Sequence, residues 1–375
     1  MREQVISAFF TLIEVIIGAW AVGVALFDVF QSIVVPRMTA RSFRISPLLV
    51  RNLWALWRRL GQQMAMGEKQ EDFLGSFAPL ALVFLIAAWV TTLIFGYGLL
   101  LYALKSQIRP SPDNLATAFY LAGTSLLTIG FGDLVAVGTL ARFVLLTAAA
   151  SGLAVVALGI SFMFTLHGSF QKREVQVLTL DSRAGTPPSG VTMLETFCKY
   201  DMMDSLPATF AAWEVWSAEI LESHRAFPLL YYFRSSHDSE SWVGSLGAVL
   251  DAATLVLTTI EAGPKGAAKM MYGLGSHAVL DLAHFLNLKH DNEPGVERLE
   301  FELARQRLAR AGYKVSDDEE SWQEFQKLRG VYAAPLNAMA RHFIIPPSQW
   351  IGDRSSVAHL HQHAKQIHQE QVKAA

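Results

Sequence analysis

The chain has 375 residues, room for two or three domains, of which 52% are apolar and only 17% charged. That balance excludes a disordered chain and leans towards membrane, and a net charge of −2 gives no sign of a nucleic-acid partner. The single cysteine, Cys198, excludes an intrachain disulfide framework and fits a reducing compartment.

Three stretches are long and apolar enough to cross a bilayer, which needs about 20 mainly apolar residues. Residues 5–35 are interrupted by Glu14 and Asp28, which are expected to face other helices or the interface. Residues 73–104 carry no charge, which argues against a soluble protein with three buried core helices. The third stretch, about residues 140–166, is rich in Ala, Gly, Val and Leu. None has the short apolar core and small-residue cleavage site of a removable signal peptide. Between the first two, residues 36–72 carry seven basic side chains (Arg37, Arg41, Arg44, Arg51, Arg58, Arg59, Lys69) against Glu68, Glu71 and Asp72. Lys172 and Arg173 follow the third stretch. By the positive-inside rule both segments are cytoplasmic, which puts residues 105–138 and the N-terminus outside. Inside the basic loop, Leu49, Leu53, Leu56, Trp57 and Leu60 share a helical face opposite Arg51, Arg58 and Gln62. The pattern suits a helix on the inner leaflet or a cuff packed on protein.

Between the second and third stretches lies "RPSPDNLATAFYLAGTSLLTIGFGDL". Ser111 can cap a helix, with Pro112 and Asp113 in its first turn. That helix would run to about Leu127, about 15 residues and too short to span a bilayer. Irregular backbone after such a half-helix is tolerated only where protein buries it or it lines a watery path. Stacked backbone carbonyls can replace the hydration shell of a monovalent cation if they point at one axis. This demands alternating backbone hand, for which Gly130 and Gly132 supply positions of positive φ. Thr128 adds a hydroxyl at the inner end, Ile129 and Phe131 turn away to pack on the pore helix, and Asp133 braces the outer mouth.

The hexapeptide "TIGFGD", preceded by a pore helix and flanked by membrane helices, resembles the pore of the potassium-channel superfamily over about residues 73–170, about a quarter of the chain. The resemblance implies a homotetramer of pore units, with Thr128, Ile129, Gly130, Phe131 and Gly132 as selectivity filter. It also implies K⁺ held at Thr128, Ile129, Gly130 and Phe131, and no cofactor beyond that permeant ion. Gly152, or Gly159, stands near the family's inner-helix hinge; close helix packing explains small residues there equally well. Leu127 replaces a common threonine and Phe131 a common tyrosine, two departures that bear on K⁺ over Na⁺ selectivity.

Residues 171–190 read as a linker, from "QKRE" through "VQVLTL" to "DSRAGTPPSG". Beyond it the pattern is helical, without the strand–helix alternation of a nucleotide-binding domain. "SLPATFAAWEVWSAEILESH" is amphipathic, and "GVERLEFELARQRLARAG" is a surface helix ended by Gly312. "SWVGSLGAVLDAATLVLTTI" is a buried core helix rather than a fourth crossing, so Asp251 needs a partner, with Arg234 or a histidine as candidates. "GLGSHA" lacks a preceding strand and reads as helix. His277, Asp281 and His284 fall at i, i+4 and i+7, a spacing that can hold a regulatory divalent metal, with His224 and His237 as further ligands. The tail histidines His359, His361, His363 and His368 read as solvated. Enzyme motifs (GxSxG, HExxH, a P-loop) and a voltage-sensing arginine ladder are absent from the sequence.

The expected fold is thus an all-α membrane protein: three transmembrane helices, a re-entrant pore helix with its filter loop, and a helical cytoplasmic domain. Its expected segments are 1–36, 37–72, 73–170, 171–190, 191–350 and 351–375. The expected function is a potassium-selective tetrameric channel of the cell membrane. The alternatives are a non-selective cation channel, or a membrane-anchored sensor or enzyme with a vestigial pore.

Overall fold

A computed structural model describes residues 2–35, 45–65, 67–235, 240–289, 296–316 and 319–352. Arg37, Arg41, Arg44, His237 and the tail histidines lie outside the described residues. The described backbone is α-helical nearly throughout: α1 (Arg2–Ile33), α2 (Ile45–Gln62), α3 (Glu68–Gly75), α4 (Phe77–Ala103), α5 (Leu115–Leu126), α6 (Thr139–Ala184), α7 (Gly190–Lys199), α8 (Leu206–Ala226), α9 (Trp242–Thr258), α10 (Lys265–Phe285), α11 (Arg298–Ala311) and α12 (Glu319–Phe343). The sheet found among the described residues is one antiparallel ribbon of β1 (Ile108–Arg109) and β2 (Val135–Ala136). Three helical stretches are long and apolar enough to cross a membrane, Ala8–Ile33, Glu68–Ala103 and Thr139–Ala184. The chain divides into two units, Met1–Arg59 with Ser76–Gly168, and Leu60–Gly75 with Ser169–Ala375.

In the first unit α4 is the central rod. Leu85, Trp89, Leu93, Tyr97 and Leu101 recur at every fourth residue, a ridge that buries against Ala25 and Val29 of α1 and Leu121, Ala122 and Leu126 of α5. Small residues let the backbones approach: a Cβ on Gly18 would stand 2.8 Å from the Gly96 carbonyl oxygen, and one on Gly96 would stand 2.9 Å from that of Gly18. The first part of α6 adds Ala141, Ala148 and Val155, spaced by seven on one face. The Tyr97 hydroxyl ties α4 to α6 through Ser151 Oγ at 2.7 Å.

Asp28 faces other helices, as a charge within a membrane segment must. Its buried carboxylate accepts from Trp89 Nε1 at 2.7 Å and from the Ser46 amide and hydroxyl, both at 3.0 Å, joining α1, α2 and α4. Helix α2 takes something from both sequence readings. Trp54 is buried with its ring 4.9 Å from that of Phe77, whereas Leu56 and Leu60 stay exposed beside Arg51 and Arg59.

The expectation of a linker over 171–190 is corrected: α6 is helical through Ala184. The buried residues there, Val177, Leu180 and Ala184, follow helical spacing, and the alternation of "VQVLTL" is incidental. Gly185, at φ 75°, ends the helix, and Pro187 and Pro188 follow.

In the second unit α9 is covered on every side, all residues from Trp242 to Val256 being buried, with α7, α8, α10 and α12 packed against it. Ser241 caps it, accepting from the Gly244 amide at 2.9 Å. It is a core helix, as its length and Asp251 suggested. The partner of Asp251 is neither Arg234 nor a histidine: its Oδ1 accepts from Arg329 Nε at 2.9 Å and from the Tyr332 hydroxyl at 2.7 Å. Burial raises the Asp251 pKa while the Arg329 charge opposes that rise. "GLGSHA" lies inside α10, and Gly312, at φ 113°, closes α11 as expected.

Candidate functional site

Helix α5 begins at Asn114, whose Oδ1 accepts from the Thr117 amide at 2.9 Å. This corrects the cap expected at Ser111, whose hydroxyl instead donates to the Lys105 carbonyl at 3.0 Å. The 12-residue helix is about 18 Å long at 1.5 Å per residue, well short of a bilayer. Its C-terminal carbonyls are satisfied by the loop that follows. The Thr128 amide donates to Ser125 O at 3.0 Å, and the Ile129 and Gly130 amides converge on Thr124 O at 2.8 and 3.3 Å. The loop is thereby hooked back under its own helix.

From there the backbone alternates in hand. Thr128, Gly130 and Gly132 have φ of 55°, 60° and 81°, whereas Ile129 and Phe131 do not enter the positive-φ region. Glycine makes the second and third positions inexpensive. A β-branched threonine at positive φ is a rare and strained choice, costing on the order of 1–3 kcal/mol, and strain of that kind concentrates at functional sites. Alternating hand is the geometry that can aim successive carbonyls at one side. The sequence pointed to Gly130 and Gly132; the conformation of Thr128 carries no compositional signal.

The side chains frame that ribbon. Phe131 stacks on Tyr120 of α5, with centroids 6.4 Å apart and planes 3° from parallel. Ile129 and Phe131 nonetheless remain 51% and 67% exposed in the single chain. Tyr120, which sequence reasoning passed over, also sets its hydroxyl beside the Asp133 carboxylate. A phenol thus reaches the loop's outer end from the helix, although position 131 has none. The return path is fixed by the β1–β2 ribbon and by the Gln107 carbonyl, which accepts from the Val137 and Gly138 amides at 2.9 and 3.2 Å.

The two hinge candidates differ sharply. Any Cβ on Gly152 would overlap the Leu126 carbonyl oxygen at the end of α5, so close packing accounts for that glycine. A Cβ on Gly159 would meet nothing nearer than Ile86 at 3.6 Å.

Outside the loop, His277 Nε2 lies 3.6 Å from Asp281 Oδ2, and Arg225 is equally close to the same oxygen. Among the described residues no three His, Cys, Asp or Glu side chains converge as a metal site. His284 therefore does not complete a ligand set with His277 and Asp281, and the carboxylate is shared with a guanidinium. His224 is buried, with Nδ1 2.9 Å from the Ile220 carbonyl.

Residues 83–167, which begin inside α4 and end inside α6, match the family model described as "Ion channel". Over 106 residues the chain is 31% identical to the Voltage-gated potassium channel Kch of Escherichia coli (strain K12), an overlap covering 28% of this chain. The chain spans about a quarter of that curated relative's length. No solved structure matches. The matched segment contains α5, the alternating loop and the Gly152 crossing, and three apolar helices embed the protein in a membrane. The likeness of residues 83–167 is thus to an ion-channel domain, and the relative that shares it is a potassium channel.

Proposed function

We propose that four copies of this chain surround one axis and conduct potassium ions through stacked rings of carbonyls from Thr128, Ile129, Gly130, Phe131 and Gly132. Asp133 draws cations to the outer mouth. The observation that carries this reading is the alternation of backbone hand at residues 128, 130 and 132, strained threonine included. Two further features support it. Ile129 and Phe131 stand exposed in one chain, as residues awaiting neighbouring copies would. The C-terminal end of α5, with its partial negative charge, adjoins the inner end of the ribbon. The ion sheds water on entering the carbonyl rings and moves down its electrochemical gradient.

The inner helix α6 bends at Gly159 in this scheme, since Gly152 is committed to the Leu126 carbonyl. In this reading α2 and the helical second unit lie on the cytoplasmic side of the cell membrane, which the basic residues of α2 support through the positive-inside rule. The test is ion flux into liposomes holding the full-length protein. Rubidium flux should exceed sodium flux at least about tenfold, the discrimination about 1.4 kcal/mol supplies. Gly130→Ala should abolish flux while the protein still inserts. Undiminished flux in that variant would overturn the filter assignment, and equal rubidium and sodium fluxes would make the channel non-selective.

A further inference from the structure

Two chain segments belonging to the second unit are continuous with the long apolar helices α6 and α4. One is the part of α6 past Gly168; the other is α3, whose Gly75 is followed within two residues by α4. Both are gripped by the same short stretch, residues 228–234, which comprises a 3-10 turn (Pro228–Tyr232) followed by Phe233 and Arg234.

The grip on α6 is a buried guanidinium. Arg173 is 1% exposed and donates from one terminal nitrogen to the Leu230 carbonyl at 3.0 Å and from the other to the Phe233 carbonyl at 2.6 Å. Its Nε donates to Glu174 at 3.0 Å. Phe170, one turn earlier on α6, lies 5.5 Å from the Phe233 ring, and the Trp216 indole donates to the Arg173 carbonyl at 3.3 Å. A planar fork holding two carbonyls of one turn fixes direction as well as distance.

The grip on α3 comes from the next residue along. Arg234 donates to Glu71 Oε2 through Nε at 2.7 Å, with a second nitrogen of the same guanidinium 2.5 Å from that oxygen. It also donates to the carbonyls of Phe343 and Ile344 at 2.8 and 3.0 Å, where its charge meets the negative end of α12. Helix α3 is in turn braced to the end of α2, since Gln70 Nε2 donates to the Gly61 carbonyl at 2.9 Å.

We infer that residues 228–234 are a gating coupler, with Phe233 and Arg234 the positioning residues through which the helical unit holds the segments leading into α4 and α6. This rests on the pore reading above. A displacement of residues 228–234 relative to α12 moves Arg173 and Glu71 together, so the connections to both α4 and α6 are biased by one element. In this scheme the coupler sets how often the pore opens and leaves ion selectivity alone.

The test is single-channel recording of the full-length protein in planar bilayers, with rubidium over sodium permeability measured in parallel. Glu71→Gln removes the ion pair from a quarter-exposed side chain and spares the core. It should change open probability at least about fivefold, the lower end of site-to-site coupling, with the permeability ratio unchanged. Arg234→Gln should do the same, and adding Glu71→Gln to it should have no further effect, because the partner is already gone. An open probability in Glu71→Gln within twofold of the parent, or fully additive effects in the double variant, would overturn the coupler while leaving the pore reading intact. A shifted permeability ratio would also overturn it. No conductance in the unmodified protein would defeat the pore reading, and the coupler with it.

Discussion

The ion-channel unit and the helical unit bury their apolar residues to opposite extents. On α6 one stripe, Ala141, Ala148 and Val155, is buried, yet a second stripe at the same seven-residue spacing, Leu146, Leu153 and Ile160, is 70%, 65% and 50% exposed. On α9 every residue from Trp242 to Val256 is buried within one chain. The helical unit completes its own core, whereas the pore unit leaves apolar faces uncovered within one chain. Buried polar groups do not follow that division. In both units they tie helices together, Asp251 with Arg329 and Tyr332 in the helical unit and Asp28 with Trp89 and Ser46 in the pore unit.

If the helical unit is self-sufficient, breaking its internal ion pair should be the costliest single change. Arg329→Met leaves the buried Asp251 carboxylate without its counter-charge, the Tyr332 hydroxyl remaining, and should cost about 3–5 kcal/mol, read by denaturant unfolding of the full-length protein in detergent. Converting Asp251 to Leu as well should recover most of that loss, since no charge then remains buried. A double variant no better than the single would show that the pair does more than satisfy itself.

The pore unit should be most sensitive where backbones touch. Gly152→Ala pushes a methyl into the Leu126 carbonyl and should cost about 3 kcal/mol, the upper end for overpacking. Gly159→Ala meets only Ile86 at 3.6 Å and should be neutral, or stabilising by up to about 1 kcal/mol through helix propensity. Equal thermal shifts for the two would erase the distinction between a packing glycine and a free one. Smaller than the Gly152 effect is that of Asp28→Ala, which leaves the Trp89 and Ser46 donors without their acceptor in a buried site and should cost about 1–3 kcal/mol. A loss confined to the pore unit's unfolding step would sharpen the contrast; a loss shared by both units would blur it.

The contrast also explains what could be read in advance. Long apolar runs, the two glycines of the loop and the cap at Gly312 are local signals, and they marked the crossings, the ribbon and the end of α11. The signals that misled were local too. Ser111 and Asn114 are equally good caps by type, and only Asn114 sits where its Oδ1 reaches the Thr117 amide. "VQVLTL" resembles a strand until Val177, Leu180 and Ala184 are seen to share the buried face of α6. Partners distant in sequence were beyond reach: Arg329 lies 78 positions from Asp251 and Arg234 lies 163 from Glu71. Tyr120 was missed because an aromatic residue on a helix has a packing explanation until Asp133 and Phe131 are found beside it.

The gentlest probe of the comparison is pH. Ten of the eleven histidines follow residue 168 in the sequence. His224 is the informative one. Its ring is packed 5.0 Å from that of Tyr231 and 4.9 Å from that of Trp242, with Nε2 3.4 Å from an Arg173 nitrogen. Burial first, and the Arg173 charge second, hold its pKa well below the ordinary histidine value. The native ring is therefore neutral where the unfolded one, near pKa 6.5, takes up a proton. Below about pH 6.5 the unfolded state binds more protons, and stability falls as pH falls, by at most about 1.4 kcal/mol per pH unit for one group. Denaturant unfolding of the full-length protein at pH 7.5, 6 and 5 should show that slope, and His224→Gln should remove one proton's worth of it. An identical slope in the variant would mean that His224 is charged in the native state, and that Arg173 is not held against a neutral ring.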